Sequence, residues 1–209
     1  LRNLPFGFKV GYLPKGPIGE EPNSLWSEID MFCRNQRVVF LKVERDAWQT
    51  DPAQLTNDHP GFKLSQYNIQ PPRTIIVNLE ERPSEILKKM RQKTRYNILL
   101  SKKKDVSIQP WNDIQAFHEM LSTTGVRDGF GVHTFEYYQR AYNLFQPAGM
   151  CELLVARYEN QPLAALMVFA RGKRAWYVYG ASTDLERNRM PAYLLQWEAI
   201  KRAKAKGCT

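Results

Sequence analysis

The stretch Arg174-Ala-Trp-Tyr-Val-Tyr179-Gly-Ala-Ser-Thr-Asp-Leu-Glu-Arg-Asn-Arg189-Met-Pro-Ala-Tyr-Leu-Leu-Gln-Trp-Glu-Ala-Ile-Lys-Arg-Ala-Lys-Ala-Lys-Gly207 decides the fold. It reads as a strand over 174–179, a polar loop over 180–189 and a helix from Met190-Pro191 to Lys206. Strict alternation puts Trp176 and Val178 on one face of the strand, and Tyr177 and Tyr179 on the other. Proline suits the first helical turn, where its missing N–H is not needed. Lys201, Arg202, Lys204 and Lys206 suit the negative end of the helix dipole, and Gly207 is a natural stop. A strand ending beside an open loop and a helix N-terminus is a common ligand position in α/β folds.

Working back from that stretch, strands are expected at 152–158 and 163–170, joined to the third by turns at 159–162 and 171–173. Before this meander come a short strand at 105–109 and two helices. The first turns Ile114, Phe117, His118 and Leu121 inward. The second, 135–146, carries Phe135, Tyr138, Tyr142 and Phe145 at spacings of 3, 4 and 3, with Tyr137 beside the stripe. The second half therefore reads α-α-β-β-β-α, an α+β layer arrangement.

The first half reads as a strand over 5–13, a helix over 23–35, a strand over 38–44, a proline-rich loop over 45–72, a strand over 74–80 and a basic helix over 83–103, broken near Thr94. Phe6, Phe8, Val10 and Tyr12 are expected on one face of the first strand. Residues 84–105 hold eight Lys/Arg against Glu85 and Asp105, with Lys88, Arg91, Arg95 and Lys102 on one row. A faint repeat is visible. Tyr12 ends a strand before a helix bearing Trp26 and Ile29, and Tyr179 ends a strand before a helix bearing Trp197 and Ile200. Two related units follow, 1–104 and 105–209, each expected to be cut short, the first at its start and the second at its end.

The chain has 209 residues and a net charge of +9, which favours polyanionic partners. No apolar run approaches the ~18 residues that span a bilayer. Cys33, Cys151 and Cys208 are far apart, so reduced thiols are expected in a cytoplasmic protein, free or peripheral to the membrane. No nucleophile elbow, P-loop or zinc-protease motif is present, and His59, His118 and His133 are scattered. Neither a metal nor a cofactor is expected. Arg127 and Arg187 are expected to pair with acids.

The meander and its helix resemble the core of the GNAT acyltransferase fold. In that fold a glycine-rich turn before the equivalent helix cradles the pyrophosphate of acetyl-CoA. Here the turn reads Glu186-Arg-Asn-Arg-Met-Pro191, without glycine. The chain resembles more closely the FemABX family, tandem GNAT-like peptidyltransferases that build peptidoglycan cross-bridges. The pieces that carry the resemblance are Tyr12-Leu-Pro-Lys-Gly-Pro-Ile18, Lys93-Thr-Arg-Tyr-Asn97, Glu136-Tyr-Tyr-Gln-Arg140, Trp176-Tyr-Val-Tyr-Gly-Ala-Ser182, Pro191-Ala-Tyr193 and Gln196-Trp197.

The resemblance implies two GNAT-like units and the short form that lacks a helical-hairpin insertion. It implies transfer of an aminoacyl group from aminoacyl-tRNA to the stem-peptide amine of a peptidoglycan precursor, UDP-MurNAc-pentapeptide or a lipid-linked one. Tyr179 and Tyr137 match substrate-cleft tyrosines of short members. His133 stands where such members carry an arginine, and Lys15 lies in the matching turn. Lys88, Arg91, Arg95 and Lys102 of the basic helix are the candidate tRNA contacts. A lysine for transition-state charge is expected beyond Thr209. Two alternatives stay open: a GNAT-like N-acyltransferase with another acyl donor, and a non-catalytic basic nucleic-acid-binding module.

Overall fold

The computed structural model describes residues 1–18, 22, 24–46, 61–71 and 73–209. They fall into two compact units, Leu1–Ile76 and Val77–Thr209. The dividing line lies before the basic helix, not after it as the sequence implied. Most of the proline-rich stretch, and His59 with it, lies outside the described residues.

In the first unit, β1 (Arg2–Asn3) runs antiparallel to β2 (Lys9–Pro14), and β2 runs parallel to β3 (Val38–Glu44). Parallel neighbours need a crossover, which α1 (Leu25–Asn35) supplies. The expected strand over 5–13 begins only at Lys9. Residues Pro5–Gly7 form a 3-10 turn in which Phe6 takes a φ of 60°, leaving its ring 91% exposed. At the far end of the sheet, Glu44 gathers hydrogen bonds. The Tyr12 hydroxyl donates to it at 2.6 Å, and the amides of Ile69 and Gln70 donate at 2.6 and 2.9 Å. These contacts tie the segment around residue 70 to the strand ends.

The second unit is a four-stranded antiparallel sheet in the order β4-β5-β6-β7. Its strands are β4 (Ser107–Trp111), β5 (Cys151–Tyr158), β6 (Gln161–Arg171) and β7 (Arg174–Ser182). The central strands are apolar at successive positions because both faces are covered. Leu153, Val155, Ala165 and Met167 point to one face, where α4 (Ile114–Asp128) and α5 (Phe135–Phe145) supply Phe117, Leu121 and Tyr138. Leu154, Ala156, Ala164 and Leu166 point to the other, packing on Leu194, Leu195 and Trp197 of α6 (Pro191–Ala205). That face also takes Ile86 of α2 (Pro83–Lys89) and Ile98 of α3 (Gln92–Lys103). The basic helix thus belongs to the second core.

Local chemistry sets the ends of these elements. Asp113 caps α4 by accepting from the Ala116 amide at 2.9 Å, and Gly129, with φ 75°, closes it in the left-handed region that suits glycine. The basic helix breaks at Met90–Arg91, not near Thr94. There Arg95 donates to the carbonyls of Lys88 and Met90, satisfying the end of α2. The segment 74–80, expected as a strand, forms none; only Leu79 reaches the core. All three cysteines are free, and burial pushes the Cys151 thiol up to about 12. No helix among the described residues is long and apolar enough to cross a membrane.

Two expected outcomes test this account. Burial alone would raise the pKa of Glu44, but the Tyr12 hydroxyl and the two amides outweigh it and hold the carboxyl below its usual value. A depressed folded-state pKa stabilises above the unfolded value and is lost as pH falls through that range. Urea midpoints should therefore drop between pH 6 and pH 3, and Glu44→Gln should flatten part of that slope. Ser101 on α3 is fully buried, and its hydroxyl has no partner among the described residues. Ser101→Ala should stabilise by about 1 kcal/mol in the same assay.

Candidate functional site

Strand β7 is the edge of the second sheet and carries the site. Its register slips between Met167 and Val168, which face Tyr179 and Tyr177 respectively, so Val178 is an extra, unpaired residue. The bulge changes the phase of the strand. Tyr177, opposite Val168, lies on the α6 side, whereas Tyr179, opposite Met167, lies on the α4/α5 side. The expectation that the two tyrosines share a face is therefore overturned. An isolated glycine after an aromatic strand is the sequence signal for such a feature.

On the α4/α5 side, Tyr179 meets Tyr137, their hydroxyls 2.9 Å apart and their rings edge-to-face. Tyr138 packs against Tyr179 at 5.1 Å from beneath, and its hydroxyl accepts the His133 amide at 3.2 Å. The His133 imidazole stacks on Tyr137 at 4.0 Å. The His133 carbonyl lies 3.2 Å from Nε2 of His118, which joins the loop to α4. Three of the residues picked from sequence, Tyr137, His133 and Tyr179, thus come together. They do so because Tyr137 falls off the apolar stripe of α5 while its neighbour Tyr138 anchors the stripe in the core. Burial, then the contact with Tyr137, holds the Tyr179 phenol well above the ordinary tyrosine value, so it stays a neutral donor.

Around the end of β7 the surface opens into a cleft of about 350 Å³. Thr124, Arg127, Phe130, Tyr177, Gly180 and Gln196 line it. The hydroxyl end of Tyr177 lies over Gly180 so closely that a Cβ there would sit 2.1 Å from Oη. Gln196 of α6 is its hydrogen-bond partner, and burial of that end of the ring raises its pKa. Thr124 caps the strand end: its hydroxyl accepts the Ser182 amide at 3.0 Å and lies 3.1 Å from the Ser182 carbonyl. Arg127 donates to the same carbonyl at 3.1 Å and pairs with Asp128 and Asp184. Arg187 lies 3.7 Å from Asp184, so both arginines pair with acids, as expected.

The loop into α6 is held by side chains. Glu186 and Met190 take positive φ without being glycines. Arg189 pairs with Glu186 at 2.8 Å, lies over the Tyr158 ring at 3.3 Å and donates to the Lys104 carbonyl at 2.7 Å. Lys104 returns a bond to the Asn188 carbonyl at 3.0 Å. A coenzyme A cradle needs freed backbone amides. Here Pro191 has no N–H at the first helical position and no glycine stands between Gly180 and Gly207, so the residues do not fit that group.

The remaining candidates of the second unit are not part of this cluster. Lys15 belongs to the first unit, 3.7 Å from Asp46. Lys88 pairs with Glu85 at 2.9 Å, and Arg95 is committed to the end of α2. Arg91 and Lys102 are exposed, and their side chains make no hydrogen bond or ion pair among the described residues.

Residues 88–209 match the family model described as acetyltransferase (GNAT) domain. The chain is similar to the Lipid II:glycine glycyltransferase of Staphylococcus saprophyticus subsp. saprophyticus, 23% identical over 97% of this chain and 67% of the relative. The same-named protein of Staphylococcus haemolyticus is 23% identical over 96% of this chain and 65% of the relative. The chain thus spans about two thirds of these relatives. The first alignment runs over 280 positions, more than the whole chain, so that relative carries insertions absent here. The fold matches the crystal structure of FemX with a TM-score of 0.83 at 18% identity, covering 99% of this chain and 72% of that one.

Gly180→Ala tests the close approach on β7. The added methyl must push Tyr177 off its seat, a clash that costs about 1–3 kcal/mol. In a Tyr177→Ala background the same change should be nearly neutral. Equal costs in both backgrounds, in urea denaturation, would contradict the packing described.

Proposed function

We propose a reaction from the family to which this chain belongs, the acetyltransferase (GNAT) domain family in its FemABX branch: transfer of an aminoacyl group to the stem-peptide amine of a peptidoglycan precursor. The relatives' names point to a lipid-linked acceptor and to cross-bridge synthesis. In this reading aminoacyl-tRNA is the donor. The acceptor amine attacks the ester carbonyl, the C–O bond to the tRNA 3′ end breaks, and the hydroxyl leaves with a proton that the amine gives up. No covalent intermediate on the protein is needed, which agrees with a buried, undissociated Cys151 thiol.

The observation that carries the reading is an edge strand that presents a phenol cluster on one face and borders a cleft at its end, before a loop that does not fit coenzyme A. Phenol hydroxyls both donate to and accept from peptide groups, which suits holding a stem peptide in place. In this reading His133, stacked beside them, is a candidate contact for the precursor. Lys15, in the first unit, stays a candidate contact for the same precursor. The family's wider chemistry keeps a second acyl donor in play, which titration with acetyl-CoA separates: binding would favour that donor.

Transfer of a labelled amino acid from charged tRNA, with lipid-linked and UDP-linked precursors as parallel acceptors, tests the proposal on the full-length protein. Tyr179→Phe and Tyr137→Phe each remove one hydroxyl and should lower kcat/KM about 5- to 100-fold. Transfer to neither acceptor would refute the reading.

A further inference from the structure

We propose that the outward face of α3 binds a short single-stranded run of RNA, with Tyr96 as a stacking platform between lysines. The proposal rests on the aminoacyl-tRNA reading above for the source of that RNA. Its structural basis is separate. Helix α3 buries Asn97, Ile98 and Ser101. Its opposite face therefore carries Gln92, Lys93, Tyr96, Leu99 and Lys103. Tyr96 is 61% exposed and Leu99 53%. The side chains of Lys93 and Lys103 make no hydrogen bond or ion pair among the described residues, nor do those of Arg91 and Lys102 beside them. No acid lies between Ile86 and Lys104. Lys93 and Lys103 are ten residues apart, about 15 Å along the helix axis.

An exposed aromatic ring flanked by uncommitted cations is the chemistry that binds unpaired nucleotides. Phosphates meet the lysines and a base stacks on the ring. A duplex offers no free base face, so a paired stem would meet only the cations. An anionic membrane surface is the rival occupant. Insertion there asks for a broad apolar face, whereas this face has two apolar side chains among polar and basic ones. Charge and the lone ring favour RNA.

The experiment measures anisotropy of a labelled RNA hairpin with a four-nucleotide 3′ overhang against the same hairpin with a blunt end. The overhang should bind more tightly. Tyr96→Ala should weaken it about tenfold, towards the blunt value, while Tyr96→Phe keeps it. Lys93→Ala and Lys103→Ala should each lower the salt slope by about 0.7, as for one lost phosphate contact on a single strand. Equal binding of both hairpins, untouched by Tyr96→Ala, overturns the proposal. Tyr96-dependent binding to phosphatidylglycerol vesicles without RNA binding overturns it in favour of a lipid surface. The two readings fail differently. Tyr96-dependent RNA binding without aminoacyl transfer refutes the donor reading and keeps the strip. Transfer whose KM for charged tRNA is unchanged in Tyr96→Ala refutes the strip and keeps the donor.

Discussion

Strands β5 and β6 have no wet face, and the second unit is arranged around that constraint. Leu153, Leu154, Val155 and Ala156 are all essentially inaccessible, as are Leu163 to Met167 on the partner strand. A sheet buried on both sides needs helices on both sides. Burying this much apolar area supplies most of the stability, at about 25 cal/mol per Å². It also leaves no room for polar chemistry in the middle. Polar groups are displaced to the edge strand, where one side of the ladder is open. That is where the tyrosines, the bulge and the cleft are found.

The bulge at Val178 turns an edge into a site. Without it Tyr177 and Tyr179 would lie on one side of the sheet, competing for the same space. With it, one ring closes over Gly180 towards α6 and the other joins Tyr137 and Tyr138 over α5. Thr124 and Arg127 then finish the strand by satisfying Ser182, so the exposed end does not fray. Neighbouring tyrosines thus serve separate surfaces.

Elements whose periodicity reports burial were legible in the sequence. The α5 stripe, the first two meander strands and the Pro191 start of α6 stand where pattern placed them, while β7 runs on to Ser182, past its expected end at Tyr179; Tyr137 was marked by falling off its stripe. What was not legible depends on non-local contacts. A bulge is one residue of phase, and alternation alone cannot reveal it; Gly180 was the available hint. The segment 74–80 has strand composition but finds no pairing partner among the described residues, since composition sets preference and pairing sets structure. The break at Met90–Arg91 rests on Arg95 reaching back two turns, a side-chain contact that helical spacing does not announce. Phe6 and Phe8 alternate on paper, yet the left-handed φ of Phe6 makes a turn first.

Charge repeats the same lesson in another form. A net +9 says that cations are plentiful, not which are available. In the second unit many are spent on the fold. Arg202 and Lys206 meet Glu152, Lys204 reaches the carbonyls of Leu79 and Glu80, and Arg189 and Lys104 lace the loop before α6. Those contacts replace the glycines on which a pyrophosphate cradle depends. A loop filled by guanidinium and carboxylate side chains is already satisfied and presents no free row of amides. Of the cations of α3, Arg95 closes the end of α2, but Lys93, Lys102 and Lys103 have no such employment, although each costs side-chain freedom and repels its neighbours. Three uncommitted lysines on α3, with Arg91 just before it, crowd like charge around one exposed ring without return in the folded chain alone, which is why that surface favours a polyanionic partner.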